Sequence, residues 1–216
     1  MTYALADLPM LSGLDAARVR ELEGLARHRR YPAGQVLCTE GDPAGELIVL
    51  LEGRVRASRA GTDGREAVLA APSAPVAFDK TALLAGGPHR ATLTAVTAVR
   101  VAYLPGRAVR ELVATEPAVA ARVLLTLAET VRALDERLAD AVLLDVPARL
   151  AKWLVRRRGP VRLDGGQAGL AAEIGATRVS VNRALRAFER RGLVRLGRSE
   201  VTVLDRDALA RIGGTP

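Results

Sequence analysis

The chain has 216 residues, of which 49% are hydrophobic, and it carries a formal net charge of +8. A chain of this length and apolar content can form one large domain or two small ones with buried cores. No apolar stretch reaches the length of a membrane span, and the N-terminus MTYALADLPM lacks the basic start and long apolar run of a signal peptide. We therefore expect a cytoplasmic protein.

The few residues with reactive or metal-binding side chains exclude several classes of function. Cys38 is the single cysteine of the sequence, which excludes an internal disulfide and argues against a cysteine-ligated zinc or iron–sulfur site. We expect its side chain to be a small buried hydrophobe. With only two histidines, the sequence has no nucleophile–base arrangement, Gly-rich phosphate loop or metal-ligand spacing. Neither an enzyme nor a metal site is predicted.

Positive charge is concentrated in the C-terminal third. From Pro147 onward there are 15 Lys and Arg residues and 6 Asp and Glu residues, which gives a net charge of +9. The part before Pro147 has 17 Lys and Arg residues and 18 Asp and Glu residues, which gives a net charge of −1. Binding to a polyanion releases counterions and favours such a basic segment. The C-terminal segment, and not the rest, is therefore predicted to contact a polyanion.

In the first half of the chain, a predicted helix is followed by a series of predicted strands. A helix is predicted from Leu11 to Arg27, with Ser12 or Asp15 as its start signal. From Tyr31 to Leu104, short Val, Leu and Ile runs alternate with Gly and Pro, which is typical of an antiparallel sandwich or barrel. A hairpin turn is predicted at 61–64.

A long helix is predicted from Pro117 onward. Apolar residues recur there at alternating spacings of four and three, a heptad pattern that indicates a coiled-coil dimer interface. The alternative is a helix packed on its own barrel, and both can hold at opposite ends of the helix. The seam residues are Ala120, Leu124, Leu127, Val131, Leu134, Leu138 and Ala141.

A domain boundary is predicted where the long helix ends. Asp145 precedes Val146 and Pro147, and proline suits the first turn of a new helix. We expect the chain to bend at this point.

The segment Gln167–Phe188 reads as two short amphipathic helices joined at Gly175, a helix-turn-helix. Ala171 suits the close contact between the helices, and Thr177 is the predicted N-cap of the second. A hairpin around the turn Gly197–Glu200 follows and is interpreted as a wing whose arginines reach phosphate.

The outward side chains of the second helix suit the major groove. Arginine matches the two acceptors of guanine, asparagine matches adenine, and a valine methyl can contact a thymine methyl. The alternative is a surface helical hairpin whose arginines only keep it soluble. The predicted DNA-binding residues are Thr177, Arg178, Val179, Ser180, Asn182, Arg183, Arg186, Arg195 and Arg198.

This order of elements resembles the Crp/Fnr family of bacterial transcription regulators, over nearly the whole chain. The stretches that carry the resemblance are YPAGQVLCTEGDPAGELIVLLEGRVRAS, LLDVPARLAKWL and IGATRVSVNRALRAFERRGLV. The resemblance implies an α+β fold with an N-terminal antiparallel, jelly-roll β-barrel like that of cyclic-nucleotide-binding domains, a long dimerisation helix and a C-terminal winged helix-turn-helix. The corresponding domains are 1–115, 116–145 and 146–216. The implied partners are double-stranded DNA, a second copy of the chain and RNA polymerase.

The resemblance also assigns roles within the second helix of the pair. Arg178 and Arg183 fall on the family's two base-contacting arginines. The family's frequent glutamate, which accepts a hydrogen bond from cytosine, is replaced here by Val179. The usual DNA half-site of the family is therefore not expected. Asn182 and Val179 favour contacts with A·T base pairs.

The effector pocket departs further from the family's pattern. Asp79 and Lys80 fall on the Gly-Glu pair that holds the ribose of cyclic AMP, and Arg90–Ala91 fall on the Arg-Ser that binds the cyclic phosphate. Leu134–Asp135 fall on the adenine-contacting Thr-Ser of the dimer helix. Because lysine cannot accept hydrogen bonds from ribose hydroxyls, cyclic AMP is disfavoured as effector.

Three other readings of the pocket remain open. Arg90 and Lys80 can form a site for another anion. Alternatively, Lys80 and Asp79 can form an internal ion pair that fills a pocket that binds no ligand. Other sensors of the family use haem or iron–sulfur groups, but His28 and His89 are the only histidines, and His89 is expected to be a solvated loop side chain. No cofactor is assigned.

The sequence thus predicts a homodimeric, sequence-specific transcription regulator on a pseudo-palindromic DNA site. Its activity is set either by a ligand at the Arg90 pocket or by its abundance alone. The alternative is a nucleotide- or anion-binding regulatory module that acts on a partner protein.

Overall fold

The computed structural model describes residues 3–61, 66–157, 159–163 and 166–214, and the chain divides into two compact units, 1–130 and 131–216. Within these described ranges, none of the helices is both long and apolar enough to cross a membrane. Three residues of the predicted hairpin turn, Thr62 to Gly64, lie outside the described ranges.

The first unit is built on two four-stranded antiparallel sheets. Its strands are β1 (Arg27–Tyr31), β2 (Val36–Cys38), β3 (Glu46–Glu52), β4 (Val55–Ala60), β5 (Glu66–Ala70), β6 (Val76–Phe78), β7 (Thr92–Ala95) and β8 (Val99–Pro105). One sheet has the order β1-β8-β3-β6 and the other β2-β7-β4-β5. The strands therefore form an antiparallel sandwich whose two sheets are not joined into a closed barrel.

Helices cover one face of this sandwich. They are α1 (Ala16–Leu25), α2 (Lys80–Ala85), α3 (Gly106–Thr115) and the first part of α4 (Pro117–Leu143), preceded by the 3-10 turns Leu5–Asp7 and Pro9–Leu11.

Strand β3 explains how the unit forms two cores. Its sequence ELIVLLE is an unbroken apolar run, as expected for a strand that is buried on both faces. Since successive side chains of a strand point to opposite faces, Leu47 and Val49 join the core beneath the helices, whereas Ile48 and Leu50 join the core between the sheets.

The N-terminal helix is shorter than predicted. It begins at Ala16, where the side chain of Asp15 accepts a hydrogen bond from Arg18 N, and it ends at Leu25. Gly13 has a φ of 101°, which is incompatible with a helix that starts at Leu11. At the other end, Arg27 already pairs with Tyr103 in β1. The predicted bounds of 11 to 27 were therefore too wide at both ends, whereas Asp15, one of the two predicted start signals, is confirmed as the N-cap.

Helix α4 has two environments along its length. Near its start, Val119 and Val123 are buried in the first unit's core and Leu127 packs against that core. Further along, Val131 and Leu138 are 55% and 67% exposed. Leu127 therefore contributes to the packing of its own sandwich, the role that the sequence had left open as the alternative to a dimer seam.

The second unit is a winged helix-turn-helix. After the end of α4 it contains α5 (Val146–Val155), β9 (Val161–Arg162), α6 (Gly166–Glu173), α7 (Arg178–Arg190), β10 (Val194–Leu196), β11 (Glu200–Val203) and α8 (Arg206–Ile212). The strands form a sheet of order β10-β11-β9. The predicted fold class, with antiparallel sheets, a long helix and a C-terminal winged helix-turn-helix, is confirmed.

Caps and one shared core hold the helices of this unit. Asp145 and Asp205 each accept a hydrogen bond from a backbone N–H of the helix that follows, at 2.8 and 2.9 Å, which satisfies otherwise unpaired donors. Leu154, Leu185 and Phe188 meet in the core. The bend predicted at Asp145 is therefore a capped helix start.

Candidate functional site

The corner between α6 and α7 has the geometry of a helix-turn-helix. Gly175 has a φ of 63°, a left-handed conformation that glycine adopts without steric cost. Ala171 is buried, and its carbonyl accepts a 2.8 Å hydrogen bond from Ala176 N. Thr177 caps α7, since its Oγ1 accepts a 3.1 Å hydrogen bond from Ser180 N. These contacts fix the direction in which α7 leaves the corner.

One face of α7 packs inward and the other is cationic. Val181, Ala184, Leu185 and Phe188 are buried. Their helical spacing leaves the opposite face to solvent, and Val179 is 69% exposed. The exposed arginines of the helix are Arg178, Arg183, Arg186 and Arg190.

Two of the predicted DNA-binding side chains are already engaged within the unit. Asn182 is half-buried, and its Nδ2 donates a 2.9 Å hydrogen bond to Gln167 Oε1 at the start of α6. Ser180 is half-buried, and its Oγ accepts a 2.9 Å hydrogen bond from Thr177 Oγ1. The expectation that Asn182 points freely outward was therefore wrong, because its amide ties the two helices together.

The wing is joined to α7 by a carboxylate that sequence reasoning missed. Glu189 Oε1 accepts a 3.2 Å hydrogen bond from Leu196 N in β10, and its other oxygen accepts a 2.8 Å hydrogen bond from Arg186. The Arg186 contact, followed by the Leu196 N–H, lowers the pKa of Glu189. Arg195 and Arg198 are exposed on the wing, as predicted.

The heptad residues of α4 are mostly exposed in the single chain. Leu124, Val131, Leu134 and Leu138 are between 55% and 68% exposed. Exposed leucines in a regular row are typical of a surface that another helix covers. Leu127 differs, because it packs against the first unit's core.

The effector segment folds differently from both of the pairings proposed for it. Asp79 Oδ2 lies 2.5 Å from Nδ1 of His89, and His89 is only 8% exposed. Lys80 Nζ donates a 2.6 Å hydrogen bond to Ala77 O, and burial lowers the pKa of this lysine, opposed by the nearby charge of Asp79. The prediction of a solvated His89 was therefore wrong, and the hydrogen-bond partner of Asp79 is His89 and not Lys80.

Lys80 and Arg90 also line different cavities. Lys80 lies beside Leu8, Met10 and Thr126, whereas exposed Arg90 lines a cavity of about 340 Å³ next to α2. The two side chains therefore do not line one common cavity among those described. Ala91, predicted to lie in the same pocket, is buried in the core between the sheets.

The cavity beside Arg90 contains two charged residues that sequence reasoning missed. Arg59 and Glu40 both line it, and they are joined by a 2.7 Å ion pair. Arg59 and Glu40 lie on either side of Thr92, because β2 and β4 pair with opposite edges of β7. Glu40 N donates a 3.0 Å hydrogen bond to Thr92 Oγ1. Only the strand order, and not the spacing in the sequence, brings them together.

Cys38 lies at the end of β2, half-buried against the core between the sheets. Burial is the main cause that raises the pKa of its thiol to about 11. Its Sγ lies within 4.8 Å of ligand atoms of Asp79 and His89. Cys38 is therefore only partly buried, although it packs against the apolar core as expected.

Comparison with known sequences identifies both parts of the chain. Residues 28–116 match the cyclic nucleotide-binding domain, and residues 148–212 match the Crp-like helix-turn-helix domain. A CRP-like cAMP-activated global transcriptional regulator of Mycobacterium tuberculosis is 30% identical over 98% of this chain and 99% of its own length. The chain belongs to the Crp/Fnr family. This Crp/Fnr protein is thus a DNA-binding transcriptional regulator, as the sequence predicted.

Solved structures agree with the fold of this Crp/Fnr regulator. The Thermus thermophilus catabolite activator protein is 28% identical, with a TM-score of 0.58, and the match covers 96% of this chain and 99% of the other. A CooA mutant from Carboxydothermus hydrogenoformans has a TM-score of 0.77 at 21% identity, covering 98% and 96% of the two chains. The latter likeness concerns the fold alone.

Proposed function

We propose that this regulator binds a pseudo-palindromic DNA site as a homodimer, with α7 of each copy in successive major grooves. Residues 146–216 then read DNA, 116–145 pair the two copies, and 1–115 form the sensor. The exposed row Leu124, Val131, Leu134 and Leu138 supports the pairing. The net charge of +9 from Pro147 onward supports contact with phosphates.

The cationic face of α7 is the observation that carries this proposal. Arg178 and Arg183 are exposed on the helix that the Thr177 cap and the Gly175 corner orient. Both arginines are free to present a forked donor to guanine, and Val179 adds a methyl surface that suits thymine. Arg195 and Arg198 on the wing are assigned to phosphate.

Selection from a random DNA library tests this assignment. In Arg183→Ala, we expect the preference at one base position in each half-site to relax and affinity to fall by about 1–3 kcal/mol. In Arg198→Ala, binding should weaken about equally for all sequences. Arg211→Ala is the matched control, because Arg211 is exposed on α8 of the same unit. Absence of any selected sequence for the unmodified protein at physiological salt would refute the proposal.

We further propose that the cavity lined by Arg90 and Arg59 binds a small anion as effector. The relative from M. tuberculosis is described as cAMP-activated. In this chain, however, Lys80 lies at a position of the family's ribose-binding pair and lines a different cavity. Glu40 supplies a carboxylate to the cavity that Arg90 lines, but this carboxylate already forms an ion pair with Arg59. An anion that competes for Arg59 would release Glu40 to accept hydrogen bonds from ligand hydroxyls.

Thermal-shift measurements with cyclic nucleotides, inorganic phosphate and sulfate test the effector site. A ligand that binds the folded state raises the midpoint in proportion to the logarithm of its concentration. We expect Arg90→Ala to abolish the shift and Arg107→Ala, an exposed arginine on α3, to preserve it. A shift that survives Arg90→Ala would place the site elsewhere, and no shift with any of these anions would favour control by abundance.

A further inference from the structure

Three side chains with metal-binding atoms meet in the first unit. Cys38 ends β2, Asp79 immediately precedes α2, and His89 lies in the loop before β7. Their potential ligand atoms all lie within 4.8 Å of one another. Since Cys38 is far in sequence from Asp79 and His89, it meets them only through the packing of the sandwich.

The backbone holds these positions firmly. His89 N donates a 2.8 Å hydrogen bond to Asp42 O, and His89 O accepts a 2.9 Å hydrogen bond from Gly41 N. The loop is thereby pinned to the turn that follows Cys38. On the other side, Asp79 has a φ of 57°, the one positive φ found among the described non-glycine residues. This conformation is sustained only where the surroundings determine it, and here it directs the carboxylate to His89.

The donor set is that of a borderline-soft metal ion. A thiolate, an imidazole nitrogen and a carboxylate oxygen are the ligands that Zn²⁺ accepts in tetrahedral sites. Calcium and magnesium prefer oxygen ligands alone, so Cys38 and His89 disfavour them. We propose that Cys38, Asp79 and His89 form a binding site for a transition-metal ion of the zinc class.

The surroundings leave room for a fourth ligand. Cys38 and His89 both line an open cavity of about 370 Å³, together with Asp42 and Glu46. Three protein ligands and one accessible position are the arrangement of a zinc site that exchanges its outer ligand. The cavity also provides an entry path for the ion.

Metal binding requires a small local rearrangement. Asp79 Oδ2 and His89 Nδ1 are 2.5 Å apart, whereas two ligands of a tetrahedral zinc ion lie roughly 3.3 Å apart. The ion would therefore come between these two atoms. It would bind the thiolate of Cys38 and an unprotonated ring nitrogen of His89.

A bound ion would tie the loop before β7 to the end of β2. Arg90 follows His89 directly in this loop and lines the cavity proposed for the effector. Metal and anion would then influence each other's affinity, a consequence that rests on the proposed effector function. The metal site itself requires only Cys38, Asp79 and His89.

Cobalt titration of the reduced, chelator-treated full chain tests the site. We expect one Co²⁺ per chain, with the near-ultraviolet charge-transfer absorption of a cobalt–thiolate bond and displacement by Zn²⁺. Cys38→Ser should abolish that absorption. His89→Gln should weaken Co²⁺ binding about tenfold or more. His28→Gln is the matched control, because His28 is the other histidine and is exposed on β1.

A second measurement needs no variant and so does not depend on the folding of one. Because Cys38 is the only cysteine, mass spectrometry after alkylation reports on this thiol alone, and Zn²⁺ should slow its alkylation. Absence of the charge-transfer absorption or of zinc protection would overturn the proposal. Arg90→Ala should leave the cobalt spectrum unchanged, so the metal site and the effector cavity succeed or fail separately.

Discussion

The cationic face of α7, which we propose reads DNA, and the proposed effector region of the sandwich use their polar side chains in opposite ways. Along α7, Arg178 and Arg183 are exposed and available to a partner. In the sandwich, Asp79 and His89 bind each other, and Arg59 binds Glu40. A ligand that binds these charged side chains of the sandwich would have to displace an internal partner, whereas DNA could contact Arg178 and Arg183 directly.

The largest expected effect concerns the exposed row on α4 that we propose pairs two copies of the chain. Leu138→Asp places a carboxylate in the apolar seam beside its own copy, and we expect the dimer to dissociate. Apparent affinity for a full palindrome should fall by about 10²-fold or more, because each half-site is then bound alone. Analytical ultracentrifugation and DNA titration measure the two effects.

Leu125→Asp is the control for this seam variant. Leu125 is 51% exposed, yet it is outside the predicted heptad row. A Leu138→Asp protein that stays dimeric, or equal dissociation by both variants, would contradict the assigned seam.

Because Asp79 and His89 bind each other within the sandwich, the next prediction concerns the stability of the first unit. Asp79→Ala leaves buried His89 without its partner, which should cost about 1–3 kcal/mol. Exposed Arg183→Ala should change stability by less than about 0.5 kcal/mol.

The two units carry separate spectroscopic reporters for this comparison. Tyr3, Tyr31 and Tyr103 belong to the first unit, and Trp153, the only tryptophan, belongs to the second. We expect Asp79→Ala to lower the midpoint of the tyrosine transition and to leave the tryptophan transition in place. A tryptophan transition lowered by the same amount would show that the units unfold together.

The recognition face can also be altered without touching stability. Val179→Glu supplies the acceptor that the family frequently has at this position, and it should favour cytosine at one base position by about 1–3 kcal/mol. Val179→Ala is the control, since it shortens the side chain without adding an acceptor. Random-site selection should give a new consensus for the glutamate variant alone. An unchanged consensus would mean that position 179 does not reach a base.

The smallest effect is expected at the link between α7 and the wing. The pKa of Glu189 is lowered by Arg186 and by the Leu196 N–H, so its stabilising effect is present at neutral pH and is lost as the pH falls through that lowered pKa. Thermal unfolding followed by Trp153 should give a lower midpoint for Glu189→Gln at neutral pH. The difference should vanish in acid, and a difference independent of pH would assign the loss to packing.

The DNA-binding unit could be predicted largely from its sequence, because its geometry is local. A helical period of 3.6 decides which side chains share a face within a few residues, and Thr177 and Gly175 mark the start of α7 and the corner before it. Asn182 was the exception, since its partner Gln167 lies on the other helix. The same local reasoning located the wing and the capped start at Asp145.

The sensor unit could not be predicted to the same depth. The sequence indicated an antiparallel sandwich, but the strand order β2-β7-β4 is a long-range property. It placed Glu40 beside Arg59 and left Arg90 next to them. Burial then determined the partners of two side chains. Lys80 donates a hydrogen bond to a backbone carbonyl, and His89 forms a hydrogen bond with Asp79.

The sequence by itself determined the family, the fold class and the cationic face of α7, because these depend on patterns repeated along neighbouring residues. The tertiary structure alone decided which polar groups of the sensor meet. Cys38, Asp79 and His89 come from three separate segments, and their contacts exist only because the two sheets and α2 pack against one another.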